Sequence, residues 1–128
     1  MRAILDTHTF LWWNMDDPHL SNAAREFISD GTNEVLLSAA SAWEIAIKCA
    51  RGRLTLPEDP GEYVADRMVK HHFLPLPVQI SHALQVFNLP DVHQDPFDRL
   101  LVAQSQLEDI PILTGDTVIT QYGVSIIW

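Results

Sequence analysis

Four acidic residues of this sequence stand where a predicted strand ends or a predicted helix begins. They are Asp6, Glu44, Asp98 and Asp116. The first and the last each close a short apolar run, and the other two follow a helix-start signal. Carboxylates hold hard divalent cations and act as general acids and bases. The pattern therefore indicates an acidic catalytic or metal-binding site assembled from distant segments.

Each of these acids also has a purely structural explanation. In "DPFDRLLVAQ", Pro96 suits the first helical position, Asp95 is a good N-cap and Asp98 stands where a capping-box acid would reach back. Glu44 is spaced to pair with Lys48 on one helix face. The two strand-end acids can be turn residues. What favours a shared site is that all four fall on one edge of the predicted sheet.

The order of the predicted elements is that of an α/β protein. We predict strands over residues 3–6, 34–38, 110–116 and 124–128, helices over residues 21–30, 41–52, 60–72, 80–89 and 96–108, and a short extended link over residues 73–77. Ser41 is the predicted N-cap of its helix, with Glu44 in the first turn. Alternating strands and helices predict a mostly parallel central sheet flanked by helices on both faces, in three layers. No linker or repeat divides residues 1–128, so we expect one domain.

The carboxyl ends of parallel strands and the helix starts beside them share one edge of the sheet, so we expect the four acids to face a common pocket. Two carboxylates about 5 Å apart repel each other by roughly 3 kcal/mol at an effective dielectric constant near 20. A divalent cation removes that repulsion, and all-oxygen sites favour Mg²⁺ or Mn²⁺. Such an ion also lowers the pKa of a water molecule and stabilises charge on phosphate oxygens.

The net charge limits the possible partners. It is −9, from 8 Lys and Arg against 17 Asp and Glu. Proteins that bind nucleic acids are usually basic, because their contacts with phosphate groups release counterions. A nucleic-acid ligand therefore requires that much of the acid be gathered around a cation. The alternatives are a different ligand, or a basic protein partner attracted to the negative surface.

The composition is that of a globular protein, with 47% hydrophobic residues in 128. No apolar run approaches the ~20 residues that a membrane helix needs. The first apolar run ends at Asp6, which is unlike a signal peptide, so we expect a cytoplasmic location without membrane association. The single cysteine, Cys49, excludes an internal disulfide and is expected to be a small buried residue.

Histidine, tryptophan and basic residues are further candidates for chemistry. The histidines lack the paired spacing of zinc ligands. The tryptophans are expected in the core or at a dimer interface, with base stacking as the alternative for Trp12 or Trp13. Four basic residues near the acids are either solvated surface or candidates to hold phosphate groups near a metal ion. These are Lys48, Arg51, Arg53 and Arg99.

Four segments, in order, carry a resemblance to a known family. They are "LDTHTFLWW", "SAASAWEIAIKCARGRLTLP", "LPDVHQDPFDRLLVAQS" and "ILTGD…YGVSIIW". Together they resemble the PIN-domain ribonucleases, in particular the VapC-type toxins of bacterial toxin–antitoxin pairs. The likeness runs from Ile4 to Trp128 and is weaker between residues 58 and 80.

The resemblance implies a PIN-like fold and a Mg²⁺- or Mn²⁺-dependent endoribonuclease that hydrolyses RNA phosphodiester bonds. It implies that Asp6 and Asp98 contact the metal directly, while Glu44 and Asp116 complete the site directly or through water. It makes Thr7 and Ser41 supporting hydroxyls and suggests RNA phosphates as the ligands of the four basic residues. It further implies a homodimer and a small antitoxin with a basic DNA-binding part.

Two other classes of function stay open at this point. A receiver- or phosphatase-like domain for Mg²⁺-dependent phosphoryl transfer also gathers acids at strand ends. However, the residues after Asp6 lack the second acid, two positions on, that haloacid-type phosphatases use. A non-catalytic interaction subunit, in which the acids are structural and the apolar surface serves assembly, is the other alternative.

Overall fold

A five-stranded sheet forms the centre of the molecule, and the computed structural model describes residues 1–128. The strands are β1 (Arg2–Leu5), β2 (Glu34–Ser38), β3 (Leu74–Leu76), β4 (Ile112–Leu113) and β5 (Ile126–Ile127). The helices are α1 (Thr7–Met15), α2 (Asn22–Ser29), α3 (Ala39–Ala50), α4 (Pro60–His71), α5 (Ile80–Gln85) and α6 (Pro96–Glu108). Short 3₁₀ helices follow at Val86–Asn88 and Thr117–Tyr122. None of the helices combines the length and the apolar character that a membrane crossing requires.

The sheet is entirely parallel and is covered on both faces, which confirms the predicted three-layer α/β architecture. Its strand order is β3-β2-β1-β4-β5. Successive residues of β1 enter different cores, since Leu5 packs with Phe10 on one face while Ile4 packs with Leu101 on the other. A strand buried on both faces reads as a continuous apolar run, as "AIL" does in the sequence.

The strand order creates a crevice next to the central strand. The chain runs from β1 outwards to β2 and β3, and later returns to β4 on the other side of β1. At such a reversal the connections leave in opposite directions, and ligands bind at the carboxyl ends of the two strands. Asp6 follows β1 directly, and Asp116 follows β4 after a short turn. The topology therefore places both strand-end acids at the crevice.

Three differences from the predicted elements have local causes. Helix α1 was not predicted, because its apolar residues are consecutive and show no helical period. The predicted link over residues 73–77 contains β3, an edge strand that tolerates Pro75 because edge strands need fewer ladder donors. The predicted strands over residues 110–116 and 124–128 shrink to two residues each.

Helix starts followed the capping signals with one exception. Ser21 accepts a hydrogen bond from the Ala24 N–H, as predicted. The prediction that Ser41 caps α3 is wrong, because Ser38 accepts from the Ala40 N–H and the helix begins at Ala39. Glu44 therefore lies in the second turn of α3 rather than in the first. Cys49 is half-buried against the core.

The start of α6 was predicted correctly. Asp95 Oδ1 accepts hydrogen bonds from the Phe97 and Asp98 N–H groups, at 2.8 and 3.4 Å, and Pro96 occupies the first turn. The predicted helix over residues 80–89 is instead α5 followed by a 3₁₀ turn, because the hydrogen-bonding pattern changes at Val86.

We expect Asp95→Ala to lower the free energy of unfolding by about 1 kcal/mol, because two N–H groups of α6 lose their acceptor. Asp95→Ser is the matched control, since a serine hydroxyl also caps helices and should restore most of the loss. Denaturant unfolding of the metal-free proteins measures both. Equal destabilisation by the two substitutions would show that Asp95 acts through its charge rather than as a cap.

Candidate active site

The four predicted acids come to the carboxyl edge of the sheet from four elements. Asp6 is the N-cap residue of α1, and Asp116 is that of the 3₁₀ helix after β4. Glu44 projects from α3, and Asp98 lies in the first turn of α6. Asp6, Glu44 and Asp98 lie close enough for the charges of the first two to raise the pKa of the third.

Asp6 is tied to the segment after β4 by one hydroxyl group. Its side chain is buried, and its Oδ2 accepts a hydrogen bond of 2.6 Å from Thr114 Oγ1. The same Oγ1 accepts a 3.1 Å hydrogen bond from the Asp116 N–H. Thr114 thus fixes two of the acids relative to each other. Sequence reasoning missed Thr114, although its place two residues before Asp116 in "LTGD" was a usable signal.

Glu44 is held by a cation and a hydroxyl group. Oε2 lies 2.6 Å from Lys48 Nζ, which is the ion pair expected from their spacing on α3. Oε1 accepts a 2.7 Å hydrogen bond from Thr7 Oγ1, which lies 2.9 Å from Ser41 Oγ. The Glu44 side chain is only 4% exposed. Glu44 therefore forms the ion pair with Lys48 and also lies among the acids. Thr7 and Ser41 lie where supporting hydroxyl groups were expected.

His93 joins Asp98 and Asp116 into one cluster. Its Nε2 lies 3.2 Å from a carboxylate oxygen of each, and the three ligand atoms lie within 4.8 Å of one another. Nδ1 of the same ring accepts a hydrogen bond from the Asp95 N–H. The neutral ring therefore carries its proton on Nε2 and donates it towards the carboxylates. His93 lies in the loop before α6, where no periodic spacing could reveal it.

The contacts of His93 also test whether Asp98 is only a capping-box acid. A capping-box acid would accept a hydrogen bond from the N–H of the N-cap residue. Here the Asp95 N–H is bound by His93 Nδ1, and the Asp98 carboxylate turns to His93 Nε2. The capping-box explanation of Asp98 is therefore wrong, and its carboxylate faces the other acids.

The acids carry more negative charge than the surrounding protein compensates. Burial is the main cause that raises the pKa of Asp98 to about 7. The negative charges of Asp6, Asp95 and Glu44 raise this pKa as well, whereas His93 lowers it. Burial also raises the pKa of Asp6, although the hydrogen bond from Thr114 opposes the shift. A cluster of oxygen donors whose ionisation is disfavoured matches the preference of a hard divalent cation. A possible acidic metal site is therefore present.

The four basic residues differ in whether their charged groups are free to bind a ligand. Arg51 and Arg53 are exposed just beyond α3, and Lys48 is half-buried on Glu44. The guanidinium of Arg99 instead donates to the backbone carbonyls of Pro90 and Val86, at 2.9 and 3.2 Å. Arg99 is therefore committed to holding the loop before α6, which was not expected.

The tryptophans separate into different environments. Trp12 and Trp128 are half-buried against the core and line a cleft together with Asp6. Trp13 packs edge-on against His71 and lines cavities that contain none of the four acids. Trp43 is 57% exposed, which excludes a core position and leaves the dimer interface as its expected place.

The largest cavity lies away from the acids. It measures about 510 Å³ and includes Met1 and Pro111, which precede β1 and β4 at the amino-terminal edge of the sheet. None of the four acids lines it. The chemistry of the side chains, rather than the volume of a cavity, therefore identifies the candidate site.

In the metal-free protein we expect the free energy of unfolding to fall as the pH rises from about 4 to about 7. Over that interval folded Asp98, whose pKa is about 7, binds a proton that the unfolded chain, with a pKa near 3.8, has released. Denaturant unfolding in a chelator at pH 5 and pH 7.5 measures the fall, which should reach a few kcal/mol at most. Asp98→Asn should reduce it, and an unchanged pH dependence in that variant would contradict the assignment.

We expect Thr114→Val to weaken Mn²⁺ binding about tenfold, because Asp6 loses the hydroxyl group that orients it. Thr114→Ser keeps a hydroxyl group and should retain most of the affinity. Calorimetric titration with Mn²⁺ measures both variants, and unfolding without metal shows whether the fold is kept. Wild-type affinity in folded Thr114→Val would show that the hydroxyl group does not organise the site.

Comparison with known proteins shows the family and the fold of this chain. The model of the PIN domain family matches residues 3–124, which include all four acids. Ribonuclease VapC16 of Mycobacterium tuberculosis is 48% identical over 61 residues, or 48% of this chain and 43% of that protein. The chain therefore matches less than half of the length of this curated relative.

Solved structures share the fold at low sequence identity. The VapBC2 structure of Rickettsia felis, bound to a promoter DNA fragment, has a TM-score of 0.73 at 10% identity over 98% of this chain and 97% of that chain. VapBC-1 of nontypeable Haemophilus influenzae has a TM-score of 0.68 at 12% identity over 98% and 96%. FitAcB of Neisseria gonorrhoeae has a TM-score of 0.61 at 16% identity over 98% and 96%. Because the family model matches residues 3–124, which are most of the chain and include every candidate acid, this chain belongs to the PIN domain family.

Proposed function

We propose that this protein is a Mg²⁺- or Mn²⁺-dependent endoribonuclease that hydrolyses RNA phosphodiester bonds, built as one domain over residues 1–128. The observation that carries the proposal is the cluster of acids at the sheet edge, in which His93 Nε2 lies 3.2 Å from both Asp98 and Asp116 and the three ligand atoms lie within 4.8 Å of one another. Membership of the PIN domain family and the likeness to a ribonuclease support it.

In this proposal Asp6 and Asp98 hold the cation directly, and Glu44 and Asp116 complete its surroundings directly or through water. The preference of Mg²⁺ and Mn²⁺ for oxygen ligands supports this choice of ion. When bound, the cation supplies neutralising charge to phosphate oxygens and increases the acidity of water.

The remaining residues of the site orient the acids. Thr114 holds Asp6 and the turn before Asp116, while His93 donates a hydrogen bond towards Asp98 and Asp116. The Thr7 hydroxyl group donates a hydrogen bond to Glu44, and it lies 2.9 Å from the hydroxyl oxygen of Ser41. Partners of this kind fix the direction in which metal-binding carboxylates point. We assign them a positioning role.

Binding of the RNA backbone would depend on the cation. The acidic cluster alone repels a phosphodiester, so the phosphate approaches only after the negative charge has been neutralised. Arg51 and Arg53 form no ion pair in the structure and are exposed beyond the end of α3. These two residues, with Lys48 closer to the acids, are the proposed contacts to RNA phosphates, since Arg99 is bound to its own loop.

We further propose that the protein acts in the cytoplasm as the toxin of a toxin–antitoxin pair. The net charge of −9 suits a small antitoxin with a basic DNA-binding part. Two of the neighbours that share the fold come from VapBC structures, one of them bound to promoter DNA. A homodimer is supported by the exposed apolar side chains of Ile80 and Leu84 on α5 and of Phe87 on the 3₁₀ turn that follows it.

We expect Asp6→Asn and Asp98→Asn each to reduce RNA cleavage by about a hundredfold or more, because each removes a ligand charge from the cation site. The measurement is cleavage of a labelled single-stranded RNA with Mn²⁺, and with a chelator in place of Mn²⁺. Glu62→Gln removes a charge from an exposed position on α4 and is the matched control.

Thermal unfolding with Mn²⁺ separates loss of the cation from loss of the fold. An ion that binds only the folded protein stabilises it, by about 2.7 kcal/mol at a hundred times its dissociation constant. Wild type and Glu62→Gln should show this rise, and the two Asp→Asn variants should lose most of it while remaining folded. Cleavage at the wild-type rate by either Asp→Asn variant would overturn the proposed site, and a covalent phosphoryl adduct without RNA cleavage would favour phosphoryl transfer.

A further inference from the structure

A cleft lined by aromatic side chains opens beside two of the candidate catalytic acids. It measures about 330 Å³ and includes both Asp6 and Asp116. Its other side chains include four rings, those of His8, Trp12, His19 and Trp128. We call this space the aromatic cleft. No residue outside this set of acids and rings lines it except Gly115.

Trp12 is the central ring of the aromatic cleft. Its ring centroid lies 5.6 Å from that of His8, 5.3 Å from that of His19 and 5.9 Å from that of Trp128. His8 and Trp12 are four residues apart on α1, so both rings lie on the helix face that follows Asp6. Asp17 Oδ1 lies 2.6 Å from His19 Nδ1 and holds that ring nearly parallel to Trp12, at 24°.

The position of Trp128 depends on the glycine before Asp116. A Cβ atom on Gly115 would lie 2.8 Å from Cε2 of Trp128, which is closer than real contacts allow. The absence of a side chain therefore lets the indole rest on the turn that carries Asp116. Two rings of the aromatic cleft are thus fixed beside the acids, Trp128 by this close approach and Trp12 by its packing against the core.

The chemistry of the aromatic cleft favours a planar, uncharged ligand. A free anion would meet the carboxylates of Asp6 and Asp116, which lie in the same lining. A nucleobase is neutral, and every base has a face that stacks on aromatic side chains. With a cation neutralising the acids, one nucleotide would place its phosphate group at the acids and its base at the rings, because both line the same cleft.

We propose that the aromatic cleft binds the nucleobase of the RNA nucleotide adjoining the cleaved phosphodiester, by stacking on Trp12. The inference rests on the proposed function for the identity of the ligand. It makes Trp12 a substrate-binding residue, whereas Trp13, on the same helix, faces His71 and cavities that none of the four candidate acids lines.

The test compares nucleoside 5′-monophosphates (AMP, CMP, GMP and UMP) with ribose 5-phosphate, which has the sugar and phosphate but no base. Each is titrated into the full chain with Mg²⁺, which is diamagnetic and does not broaden nearby signals, and the indole N–H signals of a ¹H–¹⁵N spectrum report the occupied ring. We expect at least one mononucleotide to bind wild type about tenfold more tightly than ribose 5-phosphate, as one base stacked on an aromatic side chain predicts. Equal binding of all five compounds to wild type would overturn the inference without any variant.

Three variants locate the effect. Trp12→Leu keeps an apolar side chain against the core but has no ring, so the tenfold preference should vanish. Trp12→Phe restores a ring and should recover part of the preference. Trp43→Leu removes an exposed tryptophan that packs on Phe97 outside the aromatic cleft, and should leave the preference unchanged. A preference that survives in Trp12→Leu would overturn the role of Trp12.

Two further measurements separate this inference from the proposed function. Stabilisation by Mn²⁺ should be the same in Trp12→Leu as in wild type, because the acids are untouched. Cleavage of single-stranded RNA by wild type tests the nuclease proposal by itself. RNA cleavage without a preference for mononucleotides would overturn only the proposed binding of a base in the aromatic cleft. The absence of both RNA cleavage and stabilisation by Mn²⁺ would overturn the proposed function.

Discussion

The cost of removing carboxylates from water at the crevice of the sheet, increased by their mutual repulsion, is the constraint on which the rest of this structure depends. Asp6 and Asp98 are both shielded from solvent, and their pKa values are raised mainly by that burial. Such an arrangement destabilises the folded chain unless a proton or a cation neutralises it. The fold tolerates it because the acids are attached to the ends of a rigid sheet and to helices packed on its two faces.

The neighbours of the acids reduce the repulsion but do not remove it. Lys48 neutralises Glu44, and hydroxyl groups donate to Glu44 and Asp6. Nε2 of His93 lies 3.2 Å from a carboxylate oxygen of both Asp98 and Asp116 and offers one hydrogen bond to the two acids together. The negative charge that these partners do not compensate lies on carboxylate oxygens that are close together. Such an oxygen-rich site suits a divalent cation.

The acidic cluster and the aromatic cleft are complementary parts of one surface. The acids attract a cation and repel an uncompensated phosphate, whereas the rings of Trp12 and Trp128 favour an uncharged planar group. The turn after β4 joins the two parts. In this turn Gly115 lies between Thr114 and Asp116, and Thr114 orients Asp6. The acidic net charge of the chain is thus compatible with a nucleic-acid substrate, provided that a cation is bound.

Local patterns in the sequence determined the α/β class, the helices with clear caps and all four acids at the sheet edge, since a strand end or a helix start is encoded by neighbouring residues. They failed for α1, whose apolar residues run consecutively, and for the cap of α3. Only the tertiary structure decided that Thr114 bonds Asp6, 108 residues away, that His93 joins Asp98 to Asp116, and that Trp12 rather than Trp13 lies beside the acids. The reason is physical: these contacts depend on the crossing of the chain from β3 back to β4, which no local pattern records.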